Sequence, residues 1–417
     1  MVKPLIRRHP FLVVLAIACA TTTAKGIAEI VYSPYLASYG YSLSLIGFLT
    51  SLFAVLQLAS RVPVGVAYRA ELAKRQYALA QIAFGVATGG FALANGAALA
   101  VVALSVVSGF AFGAIGTLGL AMAIDVSGGR RAGTSMAWYT MAISSGYALG
   151  SLVGGSLAVT VGLAATLGVA GLLALAATVG VVALPSLDRA PVTFDRGAGL
   201  GGLVRAAAQV DSRVWLAFVI VLYLNILQDS IDTFFPVFAP TIGISLAVVG
   251  VLRALKSGAG VFIRFTVAFL LDAIDYRRAT LVAVVAAALA TASIPLTSVP
   301  LLLAPIFVLI GLTRGVLRAT SAATIAELRA EGRDVGLASG VYNSGLDVGA
   351  IIGPTLGGLL AGAVGIGPMF QIIAALNLVM WVAVAISTPA AREAAGLAKR
   401  HTIAPHHVEE PGGERVG

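Results

Sequence analysis

The sequence is poor in the residues that carry most protein chemistry. Of 417 residues, one is cysteine, Cys19, and four are histidine. A lone cysteine excludes an internal disulfide and makes redox chemistry a weak reading. His9, His401, His406 and His407 all fall outside the apolar runs, which excludes a histidine proton relay within them. Charge is scarce too, with Lys, Arg, Asp and Glu together at 11%. No Gly-x-x-x-x-Gly-Lys-Ser/Thr loop is present, so ATP is not read as the direct energy source.

What fills the chain instead is apolar surface, 59% of all positions with a mean hydropathy of +0.97. A soluble core cannot hide that much, whereas a bilayer accepts it. Apolar runs long enough for a hydrocarbon layer roughly 30 Å thick recur at 11–38, 42–67, 77–94, 98–124, 134–158, 161–185, 213–239, 245–271, 279–298, 300–326, 335–362 and 366–388. The expected fold is an all-α membrane protein of twelve transmembrane helices in two pseudo-symmetric six-helix bundles. Residues 1–185 form the first bundle and 213–388 the second. A cytoplasmic linker, 186–212, joins them, and 389–417 is expected to be a disordered cytoplasmic tail.

A formal charge of +9 would suggest nucleic acid in a soluble protein, but its placement argues otherwise. Lys3, Arg7 and Arg8 precede the first run. Arg69, Lys74 and Arg75 follow the second, and Arg130 and Arg131 the fourth. Arg189, Arg196 and Arg205 lie in the linker; Arg277, Arg278, Arg329, Arg333, Arg392, Lys399 and Arg400 mark later alternate connections. The six intervening loops hold no Lys or Arg. This is the positive-inside pattern, with both termini cytoplasmic in an inner or plasma membrane. The N-terminus and Ala18-Cys19-Ala20 look superficially like a signal peptide, but cleavage there would halve the first helix, so it is read as retained.

Gly349-x-x-x-Gly353-Pro354-x-x-Gly357-Gly358 lies in the eleventh run. Gly146-x-x-x-Gly150-Ser151-x-x-Gly154-Gly155 lies in the fifth, 203 positions earlier (349 − 146). The same offset lays Gly129 on Gly332, Tyr139 on Tyr342, Arg61 on Arg264 and Lys74-Arg75 on Arg277-Arg278. The chain is read as a duplicated unit, the arrangement in which many transporters build a mid-membrane site. Glycines four apart permit close backbone approach, and Pro354 removes a hydrogen bond and bends its helix. The stretches are read as packed, deformable seams, with plain tight packing as the alternative.

Nine ionisable residues fall well inside the runs: Lys25, Glu29, Asp229, Asp232, Arg253, Lys256, Arg314, Arg318 and Asp347. Each costs about 2.5–3.5 kcal/mol at a helix centre. They neutralise one another, take part in transport, or both. Thr22, Lys25, Gly26 and Glu29 share one helix face. Their mates 203 positions on are Asn225, Gln228, Asp229 and Asp232. Facing lipid, both stripes would leave polar groups unsatisfied, so they are expected to face each other across an aqueous cavity. Glu29, Asp229, Asp232 and Asp347 are the candidates for reversible protonation. Thr22, Lys25, Asn225, Gln228, Arg253, Lys256 and Arg314 are the candidates for substrate contact.

Over residues 10–388 these features resemble the major facilitator superfamily. Its fifth-helix antiporter motif, Gly-x-x-x-Gly-Pro-x-x-Gly-Gly, is matched by Gly146, Gly150, Gly154 and Gly155 with Ser151 for the proline, and in full by Gly349 to Gly358. The resemblance implies export, particularly drug–proton antiport, with Glu29 similar in position to the membrane acid of several drug exporters. The family loop after the second helix keeps Gly65 but has Arg69 in place of its Asp. The loop after the eighth keeps Asp272 with Arg277-Arg278, which implies that the C-terminal half carries the gate contact. The fourth-helix Arg-x-x-Gln-Gly is reduced to Ser105-x-x-Ser108-Gly109, so proton coupling must use other groups.

The expected function is therefore secondary transport: proton-coupled efflux of a small amphipathic molecule or drug by alternating access. A proton-coupled importer of an organic anion or metabolite is the nearest rival, and a non-transporting sensor of the same fold the next. No enzyme activity, cofactor or metal is expected. The expected partners are a small-molecule substrate, protons and the lipid bilayer, without nucleic acid, and a monomer is expected.

Overall fold

A computed structural model describes residues 10–67, 70–126, 132–184, 212–270, 276–330 and 335–387. The helices are α1 (Pro10–Ser38), α2 (Leu43–Ala67), α3 (Ala70–Ala94), α4 (Ala98–Val126), α5 (Ala132–Thr160) and α6 (Leu163–Ala183). The second set is α7 (Ser212–Thr241), α8 (Leu246–Leu270), α9 (Tyr276–Ser293), α10 (Pro300–Ala330), α11 (Val335–Val364) and α12 (Ile366–Ser387). Twelve helices among the described residues are long and apolar enough to cross a membrane. Side chains such as Leu93, Leu99 and Leu301 are about four-fifths exposed, a placement that lipid satisfies and water would not.

Helix ends differ from the apolar runs for local reasons. α3 begins at Ala70, well before its run, because Glu71, Lys74, Arg75 and Gln76 extend the helix without being apolar. Lys74 Nζ donates to the Leu184 carbonyl at 2.7 Å, fixing that extension against the end of α6. α9 stops at Ser293, where Pro295 shapes a short 3-10 turn.

The duplication is visible in packing. Within the first bundle α1 packs on α5, α2 on α4 and α3 on α6; within the second, α7 packs on α11, α8 on α10 and α9 on α12. The bundles meet along α5–α8 and α2–α11, which are again mates. Turns repeat as well: Gly40 and Gly243, 203 apart (243 − 40), have φ of 79° and 80°, and Gly162 and Gly365 have 86° and 88°. Glycine alone adopts such φ values at no steric cost, so the same turn geometry recurs at both places.

Candidate functional site

A cavity of about 480 Å³ lies between the bundles. Ten charged side chains line it: Lys25, Arg61, Arg253, Lys256, Arg314 and Arg318 against Glu29, Asp229, Asp232 and Asp347. The second bundle supplies seven of these, so a symmetric scaffold holds an asymmetric charge distribution. Phe53, Phe84 and Phe91 form an apolar wall on the other side, with Ser105, Ser108 and Ser144 among the hydroxyls.

Five of the charges form one continuous chain. Lys25 Nζ lies 3.1 Å from Glu29 Oε1, one helical turn away on α1. Arg253 Nη2 lies 3.1 Å from Glu29 Oε2, and Arg253 Nε 3.3 Å from Asp232 Oδ1. Lys256 Nζ donates to Asp232 Oδ1 at 2.5 Å. Arg253 and Lys256 are almost fully buried, so each needs its carboxylate to offset lost hydration. The Lys25 ammonium also sits 3.8 Å from the Phe53 ring centroid, in cation–π contact. The first bundle provides Lys25 and Glu29, the second the rest, and the chain thus ties the bundles together across the cavity.

A second cross-bundle pair joins α2 to α11, Arg61 Nη1 to Asp347 Oδ2 at 2.5 Å. Nearby, Ser51 Oγ donates to the Ile351 carbonyl at 2.6 Å and Thr355 Oγ1 to Ser51 Oγ at 2.7 Å. Asp229 is different from the other three acids. It lines the cavity, yet among the described residues it has no hydrogen bond and no ion pair; Arg314, Lys256, Asp232 and Glu29 act on it only through longer-range electrostatics.

The glycine stretches divide their labour. A Cβ on Gly150 would come within 2.9 Å of Gly26 Cα, and one on Gly154 within 2.8 Å of Ile27 Cα. Gly146 faces Thr22 and Cys19 in the same way. Their mates Gly349, Gly353 and Gly357 abut Asn225, Ile226 and Phe234 on α7. These six seal helices inside a bundle. Gly155 and Gly358 point across: their added Cβ atoms would lie 3.1 Å from Gly250 Cα and 3.1 Å from Gly47 Cα of the opposite bundle. Pro354 packs at the same crossing, its carbonyl against Gly47.

Most of the residues singled out from the sequence meet here. Lys25, Glu29, Asn225, Gln228, Asp229, Asp232, Arg253, Lys256, Arg314 and Asp347 all line the cavity. Asn225 is partly committed, because its Nδ2 donates to the Leu346 carbonyl at 2.7 Å and ties α7 to α11. Thr22 does not line the cavity. It is buried against Gly146, and its hydroxyl donates to the Ala18 carbonyl at 2.8 Å. Gly26 likewise faces α5. Gly65 makes no close approach, with only Thr117 Cγ2 at 3.8 Å from a built Cβ. Asp272 and the side chain of Arg277 lie outside the described residues, as do almost all of the linker and the tail.

Among the lining residues that escaped the sequence reading, Arg61 and Tyr147 stand beside the charges. Arg61 was visible only as the repeat mate of Arg264, although it is a charge inside an apolar run. Tyr147 lies beside Gly146 and is within electrostatic reach of Glu29, Arg314, Asp229 and Arg253. Its signal was a hydroxyl-bearing ring inside a glycine seam.

No curated protein sequence matches the chain significantly. Among solved structures, the nucleoside transporter NupG is similar at 16% identity, with a TM-score of 0.70 over 90% of this chain and 98% of that one. A bacterial homolog of the human lysosomal transporter Spinster, inward-facing and occupied, is similar at 14% identity, with a TM-score of 0.69 over 93% and 97% of the two chains. At such identities the likeness speaks to the fold. The sequence model of the Major Facilitator Superfamily matches residues 13–329 and 295–406. With twelve membrane-length helices in mated bundles around a charged cavity, the chain belongs to the Major Facilitator Superfamily of transporters.

Proposed function

We propose that this transporter carries a small solute through the cavity by alternating access, with protons as the coupling ion and no enzymatic step. The observation that carries the reading is the chain Lys25–Glu29–Arg253–Asp232–Lys256. One of its links, Arg253 to Glu29, crosses between the bundles, so rocking one bundle against the other must break and remake it. Protonating a carboxylate removes a link, and a bound solute replaces one. A proton falling through the membrane potential supplies about 2.3 kcal/mol per 100 mV. The placement of basic loops supports a cell-membrane orientation with both termini in the cytoplasm.

The glycine motif supports efflux of an amphipathic molecule as the direction. One observation favours a second reading, proton-coupled uptake of an organic anion: six cations against four carboxylates line the cavity. Proteoliposomes with an imposed pH gradient and a panel of dyes, antibiotics and metabolites test both. Gradient-driven flux of any member in either direction supports the carrier, and its direction separates export from uptake. Full gradient-driven flux in both Glu29→Gln and Asp232→Asn would sink their assignment as proton carriers.

A further inference from the structure

We infer that the solute is a monovalent organic anion, held by Arg314 in exchange with the Asp229 carboxylate. The inference deepens the uptake reading above and rests on it. It starts from what the ion pairs leave over. Arg61 is matched by Asp347, and Lys25, Arg253 and Lys256 share Glu29 and Asp232. Beside Arg318, which has contacts of its own, Asp229 on α7 and Arg314 on α10 remain. Both line the cavity and sense each other electrostatically, yet neither has a hydrogen bond or ion pair among the described residues. Arg314 Nε is buried with no acceptor, and Arg253 Nη1, in the lining of the same cavity, has none either. A guanidinium in that condition is a ready fork for a carboxylate or sulfonate.

The two occupants exclude each other for reasons of charge. With Asp229 ionised, its carboxylate balances Arg314 and competes with an incoming anion for it. With Asp229 protonated, Arg314 loses that counter-charge, and an anion restores it. Among the groups that share the cavity with Asp229 are Glu29 on α1, Tyr147 on α5, Asp232 on α7, Arg253 and Lys256 on α8 and Arg314 and Arg318 on α10. Asp347 on α11 is held by Arg61, α12 has no ionisable residue, and those of α9, Tyr276, Arg277 and Arg278, stand at its first turn. Glu29 and Asp232 already satisfy cations, so Asp229 is the first of the three acids to take a proton from water, before any link of the chain breaks. Each loaded carrier then holds one more proton and one more anion than the empty one, and the net charge of the site is unchanged. Phe53, Phe84 and Phe91 suit an aromatic or short aliphatic body on that anion.

The test uses three probes of one shape on the full chain: benzenesulfonate, benzenesulfonamide and benzyltrimethylammonium. Thermal unfolding in detergent at acid and alkaline pH reads binding, and uptake into proteoliposomes reads transport. The expected result is that benzenesulfonate alone stabilises, more so in acid. Arg314→Gln weakens this by about ten-fold, the factor for losing a charge-assisted hydrogen bond, and Arg314→Lys recovers part of it. Asp229→Asn binds benzenesulfonate equally at both pH values, an effect that mere misfolding cannot produce. Stabilisation without flux upholds the anion site and refutes the carrier reading. Flux or stabilisation favouring the amide or the ammonium, no response to benzenesulfonate, or an unaltered Arg314→Gln overturns the inference while leaving the carrier reading intact.

Discussion

Arg253 reaches two carboxylates that belong to different halves of the molecule: its Nη2 lies 3.1 Å from Glu29 and its Nε 3.3 Å from Asp232. One planar group therefore spans the boundary between the two bundles. Lys would not hold both partners in the same fixed directions, since its ammonium is compact and has no planar fork.

Removing that fork exposes its worth. Arg253→Met is expected to destabilise the protein by about 3 kcal/mol, because two partly buried carboxylates lose a shared counter-ion. Adding Glu29→Gln and Asp232→Asn is expected to recover much of the loss. Thermal unfolding of the single and triple variants checks this, and a triple variant no more stable than Arg253→Met would disprove the pairing.

Arg61 and Asp347 should behave differently, because the Arg61 side chain is 40% exposed. Water compensates a broken exposed pair, so Asp347→Asn is expected to cost at most about 1 kcal/mol in stability. Its effect belongs to the spacing of α2 and α11. Spin labels on those helices should report a broader distance distribution in Asp347→Asn. The exchange Arg61→Asp with Asp347→Arg should restore a narrow one.

Glycines separate by their surroundings. Gly155→Ala and Gly358→Ala put a methyl group against backbone of the opposite bundle, and each is expected to slow transport at least several-fold. Gly258→Ala on α8 meets nothing within 4 Å and is expected to be neutral or to gain about 0.5–1 kcal/mol from helix propensity. Transport assays alongside unfolding curves distinguish the two classes; equal effects at all three sites would refute the division.

The single cysteine makes orientation easy to measure. In a Cys19→Ser background, Thr241→Cys at the end of α7 should react with a membrane-impermeant maleimide in intact cells, and Arg189→Cys only after permeabilisation. The reverse labelling would invert the topology.

The fold was legible because span length, loop charge and a gap-free repeat are each set by the bilayer rather than by neighbours. The site was legible in part. A 3.6-residue period says which side chains share a face, and so it grouped Lys25 and Glu29 correctly. It does not say where on that face the neighbouring helix ends and the cavity begins. Thr22 and Gly26 lie on the α5 side of that border, Lys25 and Glu29 on the open side. Arg61 was overlooked because its partner lies 286 positions away on α11; only the folded chain brings them together. The pairing of Glu29 with Asp232 through Arg253 was hidden for the same reason.

The crossings at Gly155 and Gly358 are contacts of main chain on main chain, with no ion taking part. Such a seal is indifferent to ionic strength and to voltage, so neither salt nor electric field has a handle on it. On the alternating-access reading, the trigger for opening acts among the charges of the cavity and reaches these crossings only as leverage.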